Sequence, residues 1–157
     1  MPIIKLSIQS PVWNELVHQL KTRGNGVNES GAFLLGPSSG QEITSFICYD
    51  ELDPDAYSEG IIAFDGGAYV ELWDHCRKNN LKVLADVHTH PGSWTGQSPT
   101  DQKHPMIPAA GHIALIVPRY AQNKQTGLAG VGLYEYLGDK KWKPYSVRSG
   151  LFKIINK

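Results

Sequence analysis

The first amphipathic pattern in the chain lies in SPVWNELVHQLKTRG, residues 10–24. Apolar residues recur there every three or four positions, so a helical backbone would place them on one face. Ser10 is the expected N-cap, Pro11 the first helical residue and Gly24 the C-terminal stop. The expected buried face consists of Trp13, Leu16, Val17 and Leu20.

A second helical pattern spans DGGAYVELWDHCRKNN, residues 65–80. Asp65 is the expected N-cap, because a short carboxylate side chain can accept a hydrogen bond from the free backbone N–H groups of the first turn. The expected apolar stripe consists of Tyr69, Leu72, Trp73 and Cys76. We therefore expect Trp73 to be buried together with the rest of this stripe.

Short apolar runs bounded by Gly, Pro and polar residues predict strands elsewhere in the chain. These runs are GAFLLG (31–36), EITSFICYD (42–50), LKVLADVH (81–88), HIALIVP (112–118), LAGVGLYEYL (128–137) and KWKPYSV (141–147). The segment ELDPDAYSEG (51–60) is an expected acidic loop. Helices that alternate with strands indicate an α/β layered domain in which helices flank a mixed β-sheet.

Composition narrows the class of protein. At 157 residues the chain is expected to form a single domain, residues 1–157, with a hydrophobic core of its own. Its 15 basic and 15 acidic residues balance, which argues against nucleic-acid binding. No apolar run reaches about 18 residues and the N-terminus has no signal-peptide pattern, so no membrane association is expected. Cys48 and Cys76 form no CxxC pair, which favours a reduced, cytoplasmic protein.

The candidate chemistry lies in ADVHTHPGSWTGQSPTDQKHP, residues 85–105. His88 and His90 are two positions apart, so an extended strand would point both imidazoles the same way. Asp101 can join them if the loop folds back after Pro91. Two histidines and one carboxylate leave the fourth position of a zinc ion open to water, which is typical of catalytic rather than structural zinc.

The same residues also have an interpretation without a metal. An HxH pattern at a strand end can arise by chance, and SPTD is a good helix start. In that case Ser98 is the N-cap, Pro99 the first helical residue and Asp101 the side chain that reaches back to the cap. This alternative accounts for Ser98 and Asp101 but not for the histidines, and a carboxylate in a first helical turn can still bind a metal.

The spacing as a whole resembles the JAMM (MPN+) metalloprotease family. His88-Thr-His90, seven residues, Ser98, two residues and Asp101 give H-[S/T]-H-x7-S-x2-D without departure. The family also carries an upstream glutamate where its first helix meets a strand, and NESGAFLLG places Glu29 at that position. The predicted order of elements resembles the family's fold over nearly the whole chain.

The resemblance implies a role for each of these residues. His88, His90 and Asp101 would bind one Zn2+, which would lower the pKa of a water toward about 7. Glu29 would accept that water's proton as general base and return it to the leaving amine. Ser98 would donate a hydrogen bond to the oxyanion. The implied reaction is hydrolysis of an amide or isopeptide bond without a covalent acyl-enzyme.

The resemblance also implies a substrate class. Family members that keep these residues mostly remove or trim ubiquitin or ubiquitin-like proteins, and compact bacterial JAB-type relatives accompany ubiquitin-like conjugation enzymes in anti-phage defence. A ubiquitin-like protein or its conjugate is therefore the expected partner, with conjugation-pathway enzymes beside it. Two alternatives stay open: a peptidase acting on a sulfur-carrier protein or on peptide or cell-wall amides, and a zinc-retaining MPN scaffold subunit without activity.

Other zinc-dependent classes fit less well. Zinc deaminases need H-x-E followed by P-C-x-x-C, and the sequence has no CxxC. DVHTH matches the D-x-H-x-H of barrel hydrolases, but such a barrel takes about 250 residues. Asp86 is interpreted as a carboxylate hydrogen-bonded to a neighbouring strand, with a role beside the metal left open. His104 is interpreted as a loop-surface residue and His112 as a strand-start residue; either could approach a substrate.

Overall fold

The computed structural model describes residues 5–57, 66–122 and 127–156. The helices are α1 (Ser10–Gly24), α2 (Tyr49–Leu52), α3 (Gly66–Asn79) and α4 (Pro99–Lys103). The strands are β1 (Leu6–Gln9), β2 (Gly31–Pro37), β3 (Glu42–Ile43), β4 (Ser45–Cys48), β5 (Leu81–Thr89), β6 (Ile113–Val117), β7 (Gly132–Gly138), β8 (Lys141–Tyr145) and β9 (Phe152–Ile155). Short 3-10 turns lie at Arg119–Ala121 and Val147–Ser149.

The strands form two sheets. Six of them make a mixed sheet in the order β4-β2-β5-β6-β7-β8, in which only β5 and β6 run parallel to each other. The other three make a small parallel sheet in the order β3-β1-β9. The predicted α/β layered architecture, a mixed sheet flanked by helices, is confirmed.

Strand β2 shows why the sheet carries a helical layer on each face. Successive side chains of a strand point to opposite faces. Ala32 and Leu34 belong to the hydrophobic cluster that includes the buried face of α1, whereas Phe33 and Leu35 belong to the cluster that includes the buried face of α3. A strand buried on both faces has to be apolar throughout, as GAFLLG is. Each such large side chain contributes about 1.5–3 kcal/mol through burial.

The predicted strand at 42–50 is the largest error of the sequence analysis. Ile43 pairs with Ile8 in the small sheet, whereas Ser45 pairs with Leu35 in the large one, so the chain changes sheets at Thr44. The last two residues of the predicted strand instead begin α2, because the carboxylate of Glu51 accepts a hydrogen bond from the Cys48 backbone N–H (2.7 Å) and closes a capping box. That helix also includes the first two residues of the predicted acidic loop at 51–60.

The predicted helices are present, with differences at their ends and faces. Helix α1 ends at Gly24 as expected, but Gln9 is its N-cap and Ser10 is already helical. In α3 the expected buried Trp73 is 45% exposed, while Leu72 and Cys76 are buried. The face of α3 that is buried against the sheet therefore contains fewer residues than its apolar pattern predicts. The expected cap Asp65 lies outside the described residues.

Both cysteines are free thiols in buried positions. Burial raises the pKa of Cys48 to about 12 and also raises that of Cys76. Thiols so far from ionisation at neutral pH make poor nucleophiles and poor metal ligands. Among the described residues, no helix combines the length and apolar character that crossing a bilayer requires.

Candidate metal centre

The end of strand β5 and the residue that follows it present the two histidines of the HTH pattern together, with His88 on the strand and His90 directly after it. Their imidazoles approach through Nε2, with 3.2 Å between the two nitrogens. Thr89, between them, points away and is fully buried. The alternation expected of a strand is therefore confirmed for this pair. His90 is 4% exposed and His88 is half-buried, so both imidazoles are largely shielded from bulk water.

Helix α4 carries the carboxylate to the histidines. Asp101 places Oδ2 3.1 Å from Nε2 of His90 and Oδ1 3.4 Å from Nε2 of His88. Ser98 is the N-cap of the helix, and its Oγ accepts a hydrogen bond from the Asp101 backbone N–H (3.0 Å). The Ser98 backbone N–H in turn donates to Oδ2 (3.0 Å). The helix-start interpretation of SPTD is thus correct, and the same capping box orients the carboxylate toward the histidines.

The three side chains could hold a metal ion, and their chemistry suits zinc. Ligand atoms at about 2.0–2.1 Å from zinc in a tetrahedral arrangement lie about 3.3–3.4 Å apart. The two Nε2 atoms are 3.2 Å apart, and each lies 3.1–3.4 Å from a different oxygen of Asp101. One ligand atom from each of the three residues lies within 4.8 Å of the other two. Among the described residues these are the His, Cys, Asp and Glu side chains that group closely enough to hold a metal ion. Two imidazole nitrogens that face each other at this distance need a cation or a proton between them, because both carry lone pairs when neutral.

His90 is held by further contacts on its ring. Its Nδ1 lies 3.2 Å from the carbonyl oxygen of Trp94, and the Trp94 indole stacks on the imidazole at 5.5 Å between ring centroids. A proton on Nδ1 donated to that carbonyl leaves the lone pair of Nε2 directed at the site. Such partners fix the tautomer and orientation of a metal-binding histidine.

The backbone around His90 is tied to an unusual turn. Arg119, Tyr120 and Ala121 have φ values of 56°, 53° and 58°, so three consecutive non-glycine residues are left-handed. The Tyr120 N–H donates to the carbonyl of His90 (2.8 Å), and the Arg119 N–H donates to the carbonyl of Gly92 (2.9 Å). The His90 N–H itself donates to the Val117 carbonyl (2.9 Å). The strained turn therefore fixes the backbone of a candidate ligand.

Glu29 lies in the loop before β2, close to the candidate ligands. The next residue, Ser30, exchanges two hydrogen bonds with Thr89: its N–H donates to Oγ1 (3.0 Å) and its carbonyl accepts from the Thr89 N–H (2.9 Å). The Ser30 hydroxyl also donates to the Leu20 carbonyl at the end of α1 (2.8 Å). These bonds hold Glu29 beside the histidine-bearing strand.

A cavity of about 570 Å3 opens beside this group. Glu29, His88, Ser98 and Asp101 all line it. Burial raises the pKa of Glu29, and the charge interactions with His88 and His90 offset that increase only in part. A carboxyl group whose pKa lies above its usual range is a stronger base, as a group that takes a proton from water needs to be.

Asp101 and His88 each stabilise the charged form of the other. Burial opposes ionisation of Asp101, but hydrogen bonds from His88 and His90 hold its pKa well below the usual range. Burial likewise favours neutral His88, yet the hydrogen bond and negative charge of Asp101 raise its pKa overall. The pocket therefore favours an ionised Asp101 together with positive charge at His88, which is the charge a metal cation would supply.

The remaining histidines near the loop have separate positions. His112, the residue before β6, is buried and places Nε2 2.6 Å from Oδ2 of Asp86. The interpretation of Asp86 as bonded toward a neighbouring strand is confirmed. His104 is the exposed C-cap of α4 and also lines the cavity.

Sequence reasoning missed the residues that support the site through their backbone. The carbonyl of Trp94 and the left-handed turn at Tyr120 act through main-chain atoms, and no side-chain pattern marks them. The indole of Trp142 on β8 donates to the Gln102 carbonyl (3.1 Å), next to Asp101, from 40 residues away in sequence. The reciprocal bonds of Ser30 with Thr89 are equally non-local.

Comparison with known proteins identifies solved structures that are similar to this chain. No family model matches the sequence. The structure is similar to the solution structure of a protein from Desulfitobacterium hafniense, with a TM-score of 0.64 and 17% identity over 97% of this chain and 92% of that one. A protein from Salinibacter ruber matches with a TM-score of 0.59 and 14% identity over 97% and 92%. A JAB1/MPN domain protein from Archaeoglobus fulgidus matches with a TM-score of 0.49 and 17% identity over 97% and 99%. At these identities, the first two similarities establish a shared fold.

Proposed function

We propose that this chain is a JAMM-type zinc peptidase that cleaves the amide or isopeptide bond at the C-terminus of a ubiquitin-like protein. The observation that carries the proposal is the convergence of His88, His90 and Asp101, whose ligand atoms lie within 4.8 Å of one another, beside a cavity that Glu29 also lines. Two histidines and one carboxylate are a ligand set typical of catalytic zinc.

The residues divide the chemistry among them. His88, His90 and Asp101 would hold the zinc ion, which would polarise a water molecule and the substrate carbonyl group and bring the pKa of that water toward about 7. Glu29 accepts one proton as the water oxygen forms a bond to the carbonyl carbon, and passes that proton to the amine nitrogen as the C–N bond breaks. The products are one carboxylate-bearing fragment and one amine, so no covalent adduct with the protein is needed.

Ser98 is suited to stabilise the developing negative charge. Its Oγ already accepts a hydrogen bond from the Asp101 backbone N–H, so its own proton is available to donate toward the cavity. A donor held by a helix cap loses little freedom when the substrate arrives. The proposal therefore assigns Ser98 to the carbonyl oxygen of the substrate.

A sheet edge beside the cavity supports an extended substrate. Strand β8 is an edge of the six-stranded sheet, and its Trp142 lines the cavity. An extended C-terminal tail can pair with such an edge through main-chain hydrogen bonds, which suits a flexible ubiquitin-like tail.

Cleavage of a ubiquitin-like fusion tests the proposal. The purified chain, loaded with zinc, is incubated with a fusion of a ubiquitin-like protein from the same genome, a lysine-linked conjugate, a short peptide and a murein peptide. We expect the first two to be cut at the C-terminal amide, with loss of cleavage in chelator and recovery on zinc addition. Preferential cleavage of the short or murein peptide would replace the proposed substrate class, and no cleavage by fully zinc-loaded protein would favour the scaffold alternative.

A further inference from the structure

A buried carboxylate near the metal centre has no part in the mechanism above. Asp86 precedes His88 by two residues on β5 and is 2% exposed. Its Oδ2 receives the hydrogen bond from His112 at 2.6 Å. Burying a charged group is costly unless its hydrogen-bonding capacity is met, so a position of this kind calls for an explanation.

The second oxygen of Asp86 is the feature that stands out. Across residues 5–57, 66–122 and 127–156, His112 is the side chain bonded to this carboxylate, and it bonds Oδ2. Asp86 also lines the cavity of about 570 Å3 that contains the candidate metal ligands. A ligand in that cavity with a hydrogen-bond donor would find Oδ1 as its acceptor.

The surroundings of Asp86 favour a cationic donor. Tyr49 and Tyr69 line the same cavity, and burial together with the negative charge of Asp86 raises the pKa of Tyr69 to about 12. Both phenols therefore stay neutral, and aromatic side chains attract cations. The thioether of Met106 adds an apolar surface suited to a methylene chain.

We propose that Asp86, Tyr49, Tyr69 and Met106 form a subsite for the cationic side chain of a substrate lysine or arginine next to the scissile amide. The ammonium or guanidinium group donates to Asp86, and the methylene stem lies against Met106. His112 is a positioning residue that bonds Oδ2 of Asp86 and leaves Oδ1 to the ligand. The inference rests on the proposed function for the scissile amide, but the binding that it describes is measurable without cleavage.

A matched pair of side chains tests the subsite directly. Alanine-based peptide amides carry a single lysine or a single norleucine at successive positions, and calorimetry measures their binding to the zinc-loaded Glu29→Gln variant. Norleucine keeps the methylene stem and removes the charge. We expect lysine to bind about tenfold or more tightly than norleucine at one position, as a hydrogen bond to a charged group would give. Equal affinity for lysine and norleucine at every position would overturn the proposal.

Variants of the protein assign the effect to Asp86. In Asp86→Asn, whose fold is checked by circular dichroism, the preference for lysine should fall to within about twofold, while Asp74→Asn on the solvent side of α3 should retain it. A retained preference in folded Asp86→Asn would contradict the assignment, as would a second zinc ion per chain that Asp86→Asn removes. If Asp86→Asn does not fold, the lysine–norleucine comparison still decides. A subsite that binds lysine peptides in a protein that cuts none of them would refute the proposed function alone.

Discussion

Two groups made of the same residue types meet at strand β5, through His88 and Asp86, and differ in what they can bind. His88 and His90 meet Asp101 with three ligand atoms facing one another, and the group opens to a cavity. Asp86 and His112 form a single buried contact at 2.6 Å, in which one histidine proton is matched to one carboxylate oxygen.

The two groups differ in how many converging lone pairs have no proton or cation between them. In the pair, His112 donates one proton to Oδ2 of Asp86, so no ion is needed between these two atoms, and Oδ1 stays available to the proposed ligand. In the first group, two imidazole nitrogens face each other at 3.2 Å, and one carboxylate faces both. The number of converging lone pairs, more than the presence of histidine and aspartate, therefore distinguishes a metal centre from a buried pair.

Changing Glu29 should have the largest effect on turnover. Glu29→Gln removes the proposed base but none of the proposed ligands, so activity should fall by about 10²–10⁴ while zinc content stays near that of the wild type. Glu15→Gln on the exposed face of α1 is the matched control. Turnover at the wild-type rate would refute the mechanism, and loss of zinc would place Glu29 among the ligands.

Ser98→Ala separates the capping role of Ser98 in α4 from its proposed role in the reaction. Loss of an N-cap costs about 1 kcal/mol of stability, whereas loss of an oxyanion donor lowers kcat by about 10²–10³. Ser146 caps a 3-10 turn elsewhere, its Oγ accepting from the Arg148 N–H, so Ser146→Ala controls for the cap alone. Melting temperature and kcat are measured on the same preparations. An unchanged kcat in Ser98→Ala would leave Ser98 with the capping role only.

The left-handed turn should affect zinc affinity. Tyr120→Val puts a β-branched residue at a φ of 53° that it strongly disfavours, which should displace the N–H from the His90 carbonyl. We expect zinc to bind about 10–100-fold more weakly, the usual effect of losing a group that orients a metal ligand. Tyr120→Gly, which tolerates this φ and keeps the N–H, should retain affinity. Equal zinc affinities for both variants would show that the turn does not position His90.

Acid should weaken zinc binding gradually. The pKa of His88 is raised in the metal-free protein, so the protonated form is favoured there, and zinc can bind only after that proton leaves. Affinity should therefore fall by up to about tenfold per pH unit as pH drops below this raised pKa, starting above the ordinary histidine value of 6.5. The folding stability of the metal-free protein should change with pH in the opposite direction to zinc affinity. Protonated His88 contributes its full stabilisation below the unfolded-state pKa, and this contribution is lost as pH rises through the folded-state pKa. Competition titrations with a zinc chelator from pH 5 to 8 measure the first effect; affinity independent of pH would contradict it.

Local patterns predicted those parts of the molecule that depend on local physics. The helical spacing of α1, the alternation at His88 and His90, and the cap at Ser98 were all visible in sequence, because neighbouring residues determine them. The spacing of the HTH pattern and Asp101 identified the residues that the fold brings together.

Long-range pairing explains what the sequence did not reveal. Strands β1 and β9 pair Leu6 with Phe152, so neither has a partner in its own neighbourhood of the chain. The break at Thr44 likewise depends on the two sheets that compete for the same segment. The bond between Asp86 and His112 joins residues 26 positions apart, and only the pairing of β5 with β6 brings them together.

Zinc content tests the central distinction between the two groups most directly. Wild type, His90→Ala and His112→Asn are exposed to excess zinc, dialysed and measured by elemental analysis, with melting temperatures alongside. The account predicts about one zinc per chain in the wild type and loss of that zinc in His90→Ala. It predicts retained zinc in His112→Asn, which should lose about 3–5 kcal/mol of stability because Asp86 stays buried without its partner. Zinc that persists in His90→Ala, or disappears from folded His112→Asn, would contradict the assignment of the metal centre.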